Sequence, residues 1–241
     1  MPHEPSATSR PHTIQAHGVT LELEPFGVPS STRAALLHLH RDELTALAAA
    51  RRVVAETGGH GVTISGARER RVEFTLRGVR YSFDPNRAFT PRGRQATLDP
   101  NGGPNDDARA VVEAFALGFL ALVGPGPIVA VHNNSPGPPL SILSFLPGAS
   151  DEAVAAEVFV ATDHVEDDFA LVTTRRLFLG FQRAGFNVVL QSDDAPDDGS
   201  LSVYCALRRI PYVNIEALEE HLDEQVRLVR FARDLLARPA E

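Results

Sequence analysis

Hydrophobic and polar positions change period several times along the chain. From Ile14 the stretch IQAHGVTLELEPFG alternates with period two and predicts a strand or hairpin, because successive strand side chains point to opposite faces. Arg33–His40 (RAALLHLH) is a short apolar run that predicts a strand buried on both faces. A helical pattern then runs from Asp42 to about Thr57 and stops at Gly58-Gly59. Val62–Ser65 predicts another strand, and Arg71–Leu76 with Val79–Phe83 predicts a hairpin turned at Arg77-Gly78. Pro91–Pro104, rich in Gly, Pro, Asn and Arg, reads as a long loop. Asp106–Val123 reads as a helix that Gly124-Pro125-Gly126-Pro127 ends. Ile128–Val131 predicts a buried strand leading out to His132-Asn133-Asn134, with a Pro/Gly-rich segment up to Pro139.

The same alternation returns in the second half. Strands are expected at Asp168–Val172, Asn187–Gln191 and Tyr212–Glu216, and helices at Thr174–Ala184, Leu201–Arg208 and about Glu219 to Ala237. The acidic run Asp193–Asp198 reads as a solvated loop. Strands alternating with helices predict an α/β fold with a mostly parallel mixed central sheet and helices on both faces. The expected layout is a disordered arm over residues 1–13 followed by a single domain from 14 to 241.

Composition narrows the function more than the fold. A net charge of −8, scattered in short clusters, argues against a nucleic-acid surface, and no apolar run approaches a membrane span. The first residues show no secretory signal, so a soluble, cytoplasmic protein is expected. Cys205 is the single cysteine, so a metal site here has to be built from histidine and carboxylate.

In open α/β sheets, ligands collect beyond the carboxyl ends of the strands. Four polar clusters follow apolar runs in this way: His40 to Glu43, Asp84 to Arg87, His132 to Asn134, and Glu216. His40 and Glu43 form HxxE at a strand-to-helix turn, a spacing that lets an imidazole and a carboxylate meet one ion. With His132 as third ligand, a fourth zinc position stays open for water, as in catalytic sites. A plainer reading has His40 ending the strand and Glu43 favoured by the helix dipole. Glu216, if it reaches that water, can take its proton and pass it to a leaving nitrogen. An ordinary carboxylate at a strand end is the alternative.

The order of these parts resembles the zinc carboxypeptidases of the funnelin, or carboxypeptidase A, type and their succinylglutamate desuccinylase and aspartoacylase cousins. His40-x-x-Glu43 is followed by Asp84-Pro85-Asn86-Arg87-Ala88-Phe89, then His132, then Glu216 at the end of a late strand. The resemblance spans about residues 33–220. It implies a carboxypeptidase-like (phosphorylase/hydrolase-like) architecture, one zinc ion on His40, Glu43 and His132, and Glu216 as general base. The DPNRAF segment is similar to one in which Asn and Arg bind a substrate carboxylate, here Asn86 and Arg87. Arg87 is weighed evenly against a surface arginine paired with a local acid such as Asp84. An upstream arginine is implied for the oxyanion, from among Arg68, Arg70 and Arg71, with Arg71 chosen because it begins its strand. Tyr204 is similar to a tyrosine that closes over substrate, although a helical tyrosine is more often core.

Asn133 and Asn134 can orient His132 or line the pocket, with Asn133 taken as substrate-binding; turn formation explains them as well. His38, two residues before His40, is a rival ligand whose place before the turn favours a core or supporting role. His60, His164 and His221 lack a carboxylate at convincing spacing and read as surface or loop residues. The expected activity is a metallopeptidase-like hydrolysis of an amide bond, in a small peptide such as a cell-wall fragment or in an N-acyl amino acid. A metal-binding protein without turnover is the rival from outside enzymology.

Overall fold

The computed structural model describes residues 10–30, 32–98, 103, 105–134 and 140–238. Strand β1 (His12–Ala16) turns through His17-Gly18 into β2 (Val19–Gly27), and β3 (Ala35–His38) leads to helix α1 (Leu44–Thr57). Next come β4 (His60–Ile64), the hairpin β5 (Val72–Leu76) and β6 (Val79–Phe83), α2 (Pro91–Leu98), α3 (Asp106–Val123) and β7 (Ile128–Asn134). The rest comprises β8 (Ala155–Phe159), β9 (Phe169–Val172), α4 (Arg175–Arg183), β10 (Val188–Gln191), α5 (Leu201–Leu207), β11 (Tyr212–Leu218) and α6 (Leu222–Ala237).

Among the described residues the sheet has nine strands in the order β1-β2-β4-β3-β7-β11-β9-β10-β8, and β5-β6 pair separately. Neighbours β4, β3, β7 and β11 run parallel, as do β9 and β10, whereas β1-β2, β2-β4, β11-β9 and β10-β8 are antiparallel. Helices cover both faces. In α1 the buried positions Ala46, Ala49, Ala50, Val53 and Val54 fall at i, i+3, i+4, i+7 and i+8, one stripe that packs with α4 and α6. Helix α3 buries Val111, Val112, Phe115 and Phe119 on the opposite face, with the β5-β6 hairpin. Each fully buried valine or phenylalanine contributes about 1.5–3 kcal/mol, so a charge at Val53 or Phe115 would break its layer. None of the described helices is long and apolar enough to cross a membrane.

Several expectations change. Residues 1–9 of the expected arm lie outside the described residues, and β1 already includes His12 and Thr13. The Pro/Gly-rich segment to Pro139 is outside them from residue 135 onward. The loop expected at Pro91–Pro104 opens with α2. Pro91 sits in the first turn, where its missing N–H costs nothing, and the Thr90 hydroxyl accepts from Gly93 N at 3.1 Å. Gly93 is needed there because Gly199 and the Arg87 carbonyl leave no room for a Cβ. Strand β8 gave no signal: it is a short, half-exposed edge.

Candidate metal centre

Parallel strands β3, β7 and β11 are adjacent and end on one edge of the sheet, so three chain-distant segments deliver polar groups to one place. His132 was expected just beyond its strand and Glu216 as the last residue of its own. Both lie within these strands, because β7 and β11 keep pairing to Asn134 and Leu218, with Glu216 in register with His132. Equal register on neighbouring parallel strands puts both side chains on the same face. His40 and Glu43 come from the turn between β3 and α1, and Glu43 occupies the residue before the helix.

Three of the expected residues converge. His40 Nδ1 is 2.9 Å from Glu43 Oε1, His132 Nδ1 is 2.9 Å from Glu43 Oε2, and the two Nδ1 atoms are 3.2 Å apart. All three side chains are buried. Burial alone would lower the His40 pKa, but its bonds to Asp84 and Glu43 outweigh that and raise it to about 9. Burial would push Glu43 up, yet the His132 and His40 rings hold it well below the usual carboxylate range. The cluster therefore draws positive charge to a point between two imidazoles and a carboxylate. A cation satisfies all of these atoms together, and a 3.2 Å nitrogen separation matches two ligands about 2.1 Å from one ion at roughly 100°. The donor set thus fits a divalent metal.

The two histidines are held differently. His40 Nε2 faces Asp84 Oδ1 at 2.9 Å; a carboxylate only accepts, so Nε2 carries the proton and Nδ1 is left for a metal. The His40 and Arg87 charges keep Asp84 below its usual range despite the opposing effect of burial. Asp84 is thus the partner of His40, a role that spacing did not suggest, and the local acid beside Arg87 is Asp198, at 3.1 Å. Among the described residues His132 Nε2 is buried with no hydrogen-bond partner, and this residue is fixed through its main chain instead: Gln225 Nε2 donates to its carbonyl at 2.7 Å.

Glu216 is buried beside this cluster, and its Oε1 accepts from Asn214 Nδ2 at 2.9 Å. Burial raises its pKa, the Glu43 charge adds to that, and His132 pulls the other way. Such a carboxyl holds a proton more readily than an exposed one.

The arginine at the cluster is Arg70, whose NH1 donates to Glu43 Oε1 at 2.8 Å. Arg71, chosen for the oxyanion role, is engaged elsewhere: its guanidinium donates to Ser82 Oγ, Ser82 O and Thr97 O, tying β6 to α2. Asn133, expected to bind substrate, bonds within the protein. Alternation turns it to the α1/α6 face, where Oδ1 accepts from Ala46 N and Nδ2 donates to Gln225 Oε1 and Ala217 O. Asn134, on the His132 face, donates to Asp167 O. Asn86 Oδ1 accepts from Leu201 N at the start of α5. Tyr204 packs against Phe89 and under Arg208, the packing role weighed for it.

His38 is buried and supports the turn, and burial lowers its pKa to about 4. The surface reading fails for His60, which is buried with Nε2 on Val123 O, the end of α3. It also fails to foresee that His221 has a carboxylate partner, Asp168, at 2.7 Å, and that His164 lies 3.6 Å from Glu224. In the acidic loop, Asp197 accepts from Thr90 Oγ1 and Gly199 N, and Asp198 from Ser200 N, so this end is an ordered turn against the 86–93 segment.

No family model and no curated protein matches the sequence. Among solved structures, the chain is similar to the murein-tripeptide amidase MpaA of Escherichia coli O157, at 13% identity and a TM-score of 0.49, over 91% of this chain and 88% of that one. It is also similar to an aspartoacylase family protein of Mesorhizobium loti, at 13% identity and a TM-score of 0.42, over 97% of this chain and 73% of that one.

Proposed function

We propose that this protein is a zinc-dependent, metallocarboxypeptidase-like hydrolase that cleaves an amide bond in a small peptide carrying a free terminal carboxylate. The observation that carries this reading is the buried convergence of His40 Nδ1, His132 Nδ1 and both Glu43 oxygens, with Glu216 in register with His132. When bound, the ion supplies a Lewis acid that polarises a carbonyl and makes water more acidic. His40, Glu43 and His132 hold it, and Asp84 fixes the His40 ring so that Nδ1 points inward. Glu216 accepts a proton from the attacking water at its carboxylate and returns it to the leaving nitrogen. Its raised pKa suits the second half of that task.

Arg70 takes the oxyanion role assigned to Arg71: it already reaches Glu43, and its half-exposed guanidinium is free to turn to a developing charge. Asn86 and Arg87 sit on the turn after Asp84 and suit a substrate carboxylate, which would compete with Asp198 for Arg87.

Metal analysis with product analysis tests this reading. Purified protein should hold about one zinc per chain and release free C-terminal amino acids from short peptides. Release of a small acid from N-acyl amino acids instead would make it a deacylase working through the same centre. Stoichiometric zinc without turnover on either panel would favour a metal-binding protein, and a chain that binds no divalent ion would sink the reading altogether.

A further inference from the structure

His38 has no part in the chemistry above, yet it is one of the most completely buried polar residues, with both ring nitrogens engaged. Nε2 lies 2.8 Å from the main-chain carbonyl of Glu43. A carbonyl can only accept, so Nε2 carries the proton. Nδ1 lies 2.7 Å from Thr63 Oγ1 on β4, whose hydroxyl can donate to it. The result is a tether from the sheet, through an imidazole, to the residue that supplies the carboxylate of the metal cluster.

The turn needs such a tether. Within it, Glu43 N donates to His40 O and Leu44 N to Asp42 O, both local bonds that shape the turn without placing it on the sheet. Arg41 holds the outer side through the carbonyls of Ser65, Glu69 and Arg71. On the inner side, the Glu43 carbonyl accepts from Leu47 N as the first bond of α1 and from His38 Nε2 with its other lone pair. An apolar side chain at position 38 would leave that buried lone pair unfilled and remove the bond that ties the Glu43 main chain to the sheet.

We propose that His38 is a positioning residue for the metal centre, fixing the Glu43 main chain so that its carboxylate meets His40 and His132 at one point before any ion arrives. This rests on the metal-binding reading above. Preorganisation of this kind appears as affinity and ligand geometry, and partners of metal ligands are typically worth about 10- to 100-fold in affinity.

The test is zinc affinity by competition with a chelating dye, together with the visible spectrum of the cobalt-substituted protein, in full-length wild type, H38A, H38Q and T63V. H38A should keep its fold by circular dichroism, bind zinc about 10- to 100-fold more weakly and show an altered cobalt band. H38Q, whose amide can still donate to the Glu43 carbonyl, should recover most of the affinity and the wild-type band. T63V should lose a few-fold, on the order of one neutral hydrogen bond. A folded H38A with wild-type affinity and cobalt band overturns the proposal. If H38A does not fold, the other two variants decide: loss in H38Q as severe as that of a ligand variant, or no change in T63V, counts against the tether. Failure of the wild type itself to bind zinc or cobalt would defeat the metal reading rather than the role of His38.

Discussion

The metal cluster and the Asn86-Arg87 segment meet at the same carboxylate, Asp84, which bonds to His40 and to Asn86 N, but they are built on different physical terms. In the first, His40, Glu43 and His132 have side chains at most 6% exposed, and their polar atoms face one another, with Asp84 and Arg70 bonded at the margin. In the second, the Arg87 and Asp198 side chains are 40% and 45% exposed, and they and Asn86 bond to nearby protein: Asn86 Oδ1 accepts from Leu201 N and Asp198 from Ser200 N. Removing one partner from a buried charged cluster typically costs about 3–5 kcal/mol. An exposed pair contributes at most about 1 kcal/mol. A protein maintains the first arrangement only where something compensates the burial, and a cation is the natural candidate. The second is inexpensive, adaptable and open to exchange with a ligand carboxylate.

The largest effects should therefore come from the cluster. His40→Ala or His132→Ala is expected to reduce zinc to background by metal analysis and to abolish turnover, because two remaining ligands seldom retain the ion against a chelator. Glu216→Gln keeps the shape and the ligand set, so it should retain stoichiometric zinc while kcat falls about 10²- to 10⁴-fold. Full zinc retention in His40→Ala would remove the contrast between the two regions, since the buried cluster would then be no more than a charged knot.

How far the sequence foretold this follows the range of the interactions. Helix α3 and strand β5 were legible because their periodicity is local, and Asn105 marks the start of α3 by accepting from Ala108 N. The candidate ligand group was legible because its members fall near the ends of apolar runs. What paired with them was not: Asp84 is 44 residues from His40, and Asp168 is 53 from His221. Neither contact leaves a periodic trace. Arg70 and Arg71 precede the same strand, and only the hairpin's docking on α2 decides which points to the cluster. Helix α2 was hidden because its composition signals a loop, while its cap, Thr90, and its close approach to Gly199 depend on distant chain.

The open character of the second region gives a smaller effect. Arg87→Ala should leave zinc content and the thermal midpoint nearly unchanged, since the pair is exposed. It should raise KM about ten- to a hundredfold for substrates with a free carboxylate and hardly at all for their amides, the pattern of a lost charge-assisted contact. Equal losses on acid and amide substrates would place the carboxylate contact elsewhere.

The smallest effect tests whether the second region also opens more easily. Cys205 lies buried in α5, the helix that Asn86 and the Asp197–Ser200 turn hold in place, and burial pushes its thiol up to about 12. At pH 8 only about one molecule in 10⁴ would carry a thiolate in the closed state, so thiol labelling has to pass through an open form in which the ordinary pKa returns. The labelling rate should then rise about tenfold per pH unit up to the ordinary thiol range and level off above it. Asn86→Ala removes a bond to the start of α5 and should speed labelling several-fold with zinc content unchanged. If labelling in that variant still requires global unfolding, judged by its matching the denaturant dependence of the whole fold, α5 is as firmly held as the metal cluster. The 86–93 segment would then be a rigid floor for substrate and not an adaptable one.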